Sequence, residues 1–108
     1  MADRLLAARA WVAQKPTDRF GLYALAMELR GPGSWSECFE VFDRLLASHP
    51  NYAVGYYHYA VSRRRAGDRA GALSLIDRGL AVAQKDPKTS AELQDLKNEL
   101  EDAGDEEP

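Results

Sequence analysis

A chain of 108 residues that is 45% apolar and 29% charged has room for one globular domain with a modest continuous core. No stretch approaches the roughly 20 apolar residues that cross a bilayer. Asp3, Arg4 and Arg9 interrupt the first apolar run, which excludes a secretory h-region there, and the lone Cys38 cannot close an internal disulfide, so a cytoplasmic protein without membrane association is expected. The net charge of -3 is unevenly spread: six of the 17 acids fall in residues 99–108 without a base, leaving 14 bases against 11 acids before them. With a pI near 5.3 that excess is too small for a dedicated nucleic-acid domain, and residues 105–108 read as a solvated acidic tail.

In chain order, the first predicted element is a helix over residues 3–15. Leu5, Leu6, Ala7, Ala8, Ala10, Trp11, Val12 and Ala13 cover more of its circumference than one packing face needs, with Asp3, Arg4, Arg9 and Gln14 as the polar remainder. Apolar surface on Leu5, Leu6 and Trp11 is therefore expected to stay exposed, as surfaces of self-association do. The next helix carries Leu22, Leu25, Ala26 and Leu29 at i, i+3, i+4 and i+7. GPGS ends it, since glycine and proline disfavour a helix interior. Ser34 and Glu37 then stand at capping-box spacing, before a stripe of Cys38, Phe42, Leu45 and Leu46 that SHPN closes.

The plan then recurs. Residues 53–86 align without a gap on residues 19–52: Gly21 meets Gly55, Tyr23 Tyr57, Ala26 Ala60, Arg30 Arg64 and Gly33 Gly67, Asp43-Arg44 meets Asp77-Arg78, and Leu46-Ala47 meets Leu80-Ala81. Apolar positions coincide too, Leu22 with Tyr56, Leu25 with Tyr59 and Phe42 with Ile76, so the burial of these six side chains is predicted. Asp68 is placed to cap the second helix of this unit, which is expected to run to about Lys85 and stop before Pro87. Residues 88–103 form a terminal segment in which Thr89 or Ser90 precedes a last helix, whose Leu93, Leu96 and Leu100 form one stripe among polar residues, as a terminal cap on stacked repeats should.

A 34-residue period of paired helices resembles the tetratricopeptide repeat, whose pattern runs W-x2-L-G-x2-Y, then A-x3-F, then P. Leu22, Leu25, Ala26, Leu29, Cys38, Phe42 and Pro50 take those places in the first unit, and Tyr56, Tyr59, Ala60, Arg63, Ala72 and Ile76 in the second. Arg63 departs from the pattern where it wants a large aromatic, and Gln84 where it wants proline. The resemblance implies an all-α fold of antiparallel helix hairpins stacked as a short right-handed solenoid, a single domain over residues 1–104. It further implies that the first helix of each pair lines a concave groove. On that face lie Phe20, Tyr23, Met27 and Arg30, and then Tyr57, Val61, Arg64 and Arg65. Two readings stand for Arg64 and Arg65, a partner-binding rim or cations favoured by the negative end of a helix dipole. Tyr23, Met27 and His58 occupy the places where a subclass of the family clamps chaperone tails with lysine and asparagine, so chaperone-tail binding is not expected.

The segment YYHYAVSRRRAGD mixes aromatics with arginines as nucleic-acid surfaces do, but as a helix it splits its tyrosines between the core face, with Tyr56 and Tyr59, and the groove face, with Tyr57. His49 and His58 have no second ligand at metal spacing. Cys38 stands where the repeat wants a small packed residue, and neither GPGS nor AGDRAG follows the phosphate-loop pattern. A non-catalytic module without cofactor or metal is expected. It would bind a protein partner, a peptide or helix, in its groove, with self-association as a homodimer as the alternative.

Overall fold

The computed structural model describes residues 2–105. They form six helices: α1 (Ala2–Gln14), α2 (Arg19–Arg30), α3 (Trp35–Ser48), α4 (Ala53–Arg65), α5 (Arg69–Val82) and α6 (Pro87–Asp105), and no strand occurs among the described residues. The fold is an all-α helical repeat. It divides into two compact units, Met1–Pro50 and Asn51–Pro108. Apart from Asp105, which ends α6, the expected acidic tail lies outside the described residues.

In the first unit α2 packs between α1 and α3. Its buried face is the predicted one, Leu22, Leu25, Ala26 and Leu29, and it meets Cys38, Val41, Phe42, Leu45 and Leu46 of α3 and Ala8 and Val12 of α1 in a continuous core. In the second unit α5 packs against α4 and α6, which also touch each other. Tyr56, Tyr59 and Ala60 of α4, Ala72, Leu75 and Ile76 of α5, and Leu93, Leu96 and Leu100 of α6 are buried there. All six side chains whose burial the repeat register predicts are in the core.

The turn inside each helix pair explains why the repeat keeps its glycine. Gly33 and Gly67 have φ of 74° and 85°, a left-handed conformation that other residues adopt at a cost. Around them the backbone closes in the same way 34 residues apart. Ser34 N–H donates to Leu29 C=O at 3.1 Å and Gly33 N–H to Arg30 C=O at 3.1 Å; Asp68 N–H donates to Arg63 C=O at 2.8 Å and Gly67 N–H to Arg64 C=O at 3.0 Å. These bonds satisfy the last carbonyls of α2 and α4.

Three helix starts depart from the sequence reading. Ser34 makes no side-chain cap bond, and Glu37 turns away from it to form a two-armed ion pair with Arg9 of α1, one arm at 2.9 Å. The Ser34 N–H that a capping box would offer Glu37 is already given to Leu29 C=O, which leaves the glutamate to Arg9. Asp18, not singled out in the sequence, caps α2 by accepting from Gly21 N–H at 2.9 Å. At the end of the second repeat, α5 stops at Val82 rather than near Lys85, and the last helix begins at Pro87 rather than after Thr89 or Ser90. Proline has no N–H to leave unsatisfied at the first helical position, and Asp86 before it accepts from Thr89 N–H at 3.1 Å. The expected cap at Asp68 is present, its carboxylate accepting from Gly71 N–H at 2.9 Å.

Candidate interaction surfaces

The predicted groove residues fall on two helices, one in each unit. On α2, Tyr23, Met27 and Arg30 are half-buried and share a face through their i, i+4, i+7 spacing. The Arg30 guanidinium folds back over Met27, 3.2 Å from its sulfur. On α4, Tyr57 and Val61 are half-buried and Arg64 and Arg65 exposed. These four line one cleft of about 580 Å³, whose opposite wall is Glu92, Asp95, Leu96 and Glu99 of α6. The capping role expected of α6 from its leucine stripe does not include that wall. Its stripe of leucines points inward, so the acids at 92, 95 and 99 are left facing α4 beside Leu96.

The charges in this cleft are partly spoken for. Arg64 pairs with Glu99 at 2.7 Å, while Arg65, Glu92 and Asp95 form no ion pair among the described residues. Tyr57 and Val61 with Leu96 give an apolar floor between one available cation and two available anions. The Tyr57 ring is held edge-on by His58, 5.1 Å between centroids.

Arg63, the departure from the repeat pattern, points away from this cleft chemistry. Its guanidinium donates to Tyr59 Oη at 2.7 Å and to Asp68 Oδ2 at 2.9 Å, and lies over the Tyr59 ring at 5.0 Å. Burial alone would lower its pKa, but the bonds to Tyr59 and Asp68 outweigh it and hold the arginine charged above its usual range. The arginine thus fills the aromatic's place and ties α4 to the N-cap of α5.

In the first unit, the residues expected to support self-association lie on α1, with Leu5 partly buried and Leu6 and Trp11 exposed by 63% and 45%. Phe20, expected on the groove face of α2, instead stacks obliquely on Trp11, 5.6 Å between ring centroids, and is 66% exposed. Leu6, Trp11 and Phe20 are the exposed large apolar side chains among the described residues. The signal for Phe20 was available in its position opposite Trp11 across the short Lys15–Asp18 turn, but helical periodicity within one element does not report it.

Cys38 is buried and donates its thiol to Ala26 C=O at 3.4 Å. His49 is bonded through Nε2 to Thr17 C=O at 2.8 Å. Among the described residues no cluster of His, Cys, Asp and Glu could hold a metal ion, and no helix is long and apolar enough to cross a membrane.

The sequence matches no family model and no curated protein. Solved structures do resemble it. A tetratricopeptide repeat domain protein of Salinibacter ruber superposes in its crystal form with a TM-score of 0.70 at 31% identity, over 78% of this chain and 97% of that one. In solution its TM-score is 0.73 at 32% identity, over 80% and 89%. A Bordetella parapertussis protein shares the fold, with a TM-score of 0.78 at 24% identity over 92% of this chain and 88% of its own. The 34-residue recurrence of the helix pair with its left-handed glycine, and identity above 30% across nearly the whole of a known repeat domain, lead to one conclusion: the chain belongs to the tetratricopeptide repeat family, whose helical repeats are generally non-catalytic modules of protein–protein interaction.

Proposed function

We propose that this protein is a non-catalytic interaction module that holds a peptide or short helix of another protein against its α4 groove face. The observation that carries the reading is the α4–α6 cleft, where Tyr57, Val61, Arg64 and Arg65 stand together around an apolar floor with Leu96. Tyr57 supplies an aromatic anchor of the kind that dominates peptide affinity. Charges of both signs on the walls would fix direction and register more than affinity. A partner with an apolar anchor side chain, a base toward Glu92 and Asp95 and an acid toward Arg65 fits these walls. Tyr23, Met27 and Arg30 on α2 are proposed as partner-contacting residues of the first unit by itself.

Selection of peptides displayed on phage against the immobilised protein tests this. Selected peptides are expected to lose affinity for the Tyr57→Ala variant by about tenfold or more, the cost of removing an anchor, while its circular dichroism stays that of the parent. Arg65→Glu is a cleaner charge test than Arg64→Glu, because Arg64 already serves Glu99. Peptides that bind both variants as well as the parent would overturn the cleft reading. Self-association is the second reading, favoured by the exposure of Leu6, Trp11 and Phe20 in the first unit.

A further inference from the structure

We infer that the α1–α2 face carrying Trp11 and Phe20 is a twofold interface with a second copy of this chain, built around reciprocal Arg4–Glu28 pairs. This rests on the self-association reading and is independent of the cleft in the second unit.

The face has both halves of a contact. Phe20 protrudes, being 66% exposed. Beside it is an apolar depression of about 270 Å³ walled by Ala7, Ala8, Ala24 and the rings of Trp11 and Phe20. Small alanines leave the hollow and large side chains next to it form the knob, so one copy can fill the other. Trp11 is ready for burial. Its indole N–H already donates to Asp18 Oδ2 at 2.9 Å, so covering the ring strands no polar atom.

The charges say which partner fits. Arg4 and Glu28 line the same depression, one on each helix, and neither forms an ion pair among the described residues. A partner of one dominant charge would satisfy only one of them. A second copy related by a twofold axis satisfies both, because in such a contact residue i meets residue j and j meets i. Arg4 of each copy then faces Glu28 of the other, and the contact closes at two chains rather than propagating.

Sedimentation velocity on the full chain from micromolar to millimolar concentration tests the proposal. The parent is expected to shift from monomer to dimer across that range, and Phe20→Glu to remain monomeric with parental helicity, since Phe20 is largely exposed. Arg4→Glu alone places acid against acid, and Glu28→Arg alone places base against base. Each is expected to weaken the dimer at least about tenfold, as like charges juxtaposed across an interface suppress association. Mixing these two variants brings every reversed residue opposite its complement, so the mixture is expected to form a heterodimer tighter than either variant forms with itself. A parent that stays monomeric throughout, a dimer unaffected by Phe20→Glu, or a mixture no tighter than its components would overturn the interface. None of these outcomes depends on peptide binding at Tyr57.

Discussion

Arg63 shows how a single side chain can depart from a repeat pattern and keep the repeat. The pattern places a large aromatic there; the arginine supplies similar bulk through its stem, stacks on Tyr59, and spends its charge on Asp68, which itself caps α5. Arg63→Ala is expected to destabilise the fold by about 1.5–3 kcal/mol, the range for losing hydrogen bonds to charged groups, in urea denaturation. Arg63→Lys should recover little of it, because an ammonium cannot reach Tyr59 and Asp68 together as the planar fork does. If Arg63→Lys matched the parent, the forked contact would be dispensable. Gly79 is the reverse case, a position where nothing more can fit. A Cβ there would lie 2.8 Å from Tyr56 Cβ and 3.0 Å from Leu93 Cδ1, so α4, α5 and α6 converge on its bare backbone. Gly79→Ala should cost about 1–3 kcal/mol through overpacking, despite alanine's better helix propensity; a stabilised variant would mean that the three helices can part easily. The sequence showed the departure at Arg63 but not its compensation, because Tyr59 and Asp68 reach it only once α4 has turned back into α5.

At the scale of the helices, three of the starts depend on aspartate. The carboxylates of Asp18, Asp68 and Asp86 are all held below the usual aspartate range. The first cause is the Gly21 amide for Asp18, the Gly71 amide for Asp68 and the Thr89 side chain for Asp86, joined respectively by the Trp11 indole, Arg63 and the Thr89 amide. Glu37 is lowered by its bond to Arg9. A carboxylate whose folded pKa is depressed stabilises the fold fully above its unfolded value and stops doing so as pH falls through the folded one. Stability is therefore expected to be level from neutral pH to about 5 and to decline below about 4, where free aspartate titrates. Thermal melts across that range should show a shallower acid decline for Asp18→Asn combined with Asp68→Asn, since asparagine still caps but does not titrate; an identical decline would place the acid sensitivity elsewhere. Of these caps only Asp68 was legible from sequence, where it follows a glycine turn in register with Ser34. The proline turn before Asp18 recurs at Pro50, but the cap position there is Tyr52, which makes no side-chain cap bond, so the repeat register did not mark Asp18 as a cap. Asp86 was hidden because Pro87 reads equally as a helix end and as a first helical residue, and only the backbone decides between them.

For the molecule as a whole, the gapless 34-residue recurrence carried the fold, because spacing within a helix and the glycine between helices are properties of local sequence. What it could not carry were the faces made by helices distant along the chain. The acidic wall that α6 sets opposite Tyr57 and Val61, and the meeting of Trp11 with Phe20, both arise from packing between elements and leave no periodic trace. Core energetics follow the repeat: Phe42, fully buried in the first unit, should cost about 3–5 kcal/mol when cut to alanine, and a melting temperature unchanged by that substitution would contradict the register. Partner binding is placed in the α4–α6 cleft by proposal. Its most direct test is to titrate a selected peptide into isotopically labelled protein and follow backbone amide chemical shifts. The largest changes are expected to cluster at Tyr57, Val61 and Arg65 of α4 and at Glu92 and Leu96 of α6; saturable binding that leaves these amides unmoved and perturbs only α1, α3 or α5 would overturn the cleft as the binding site.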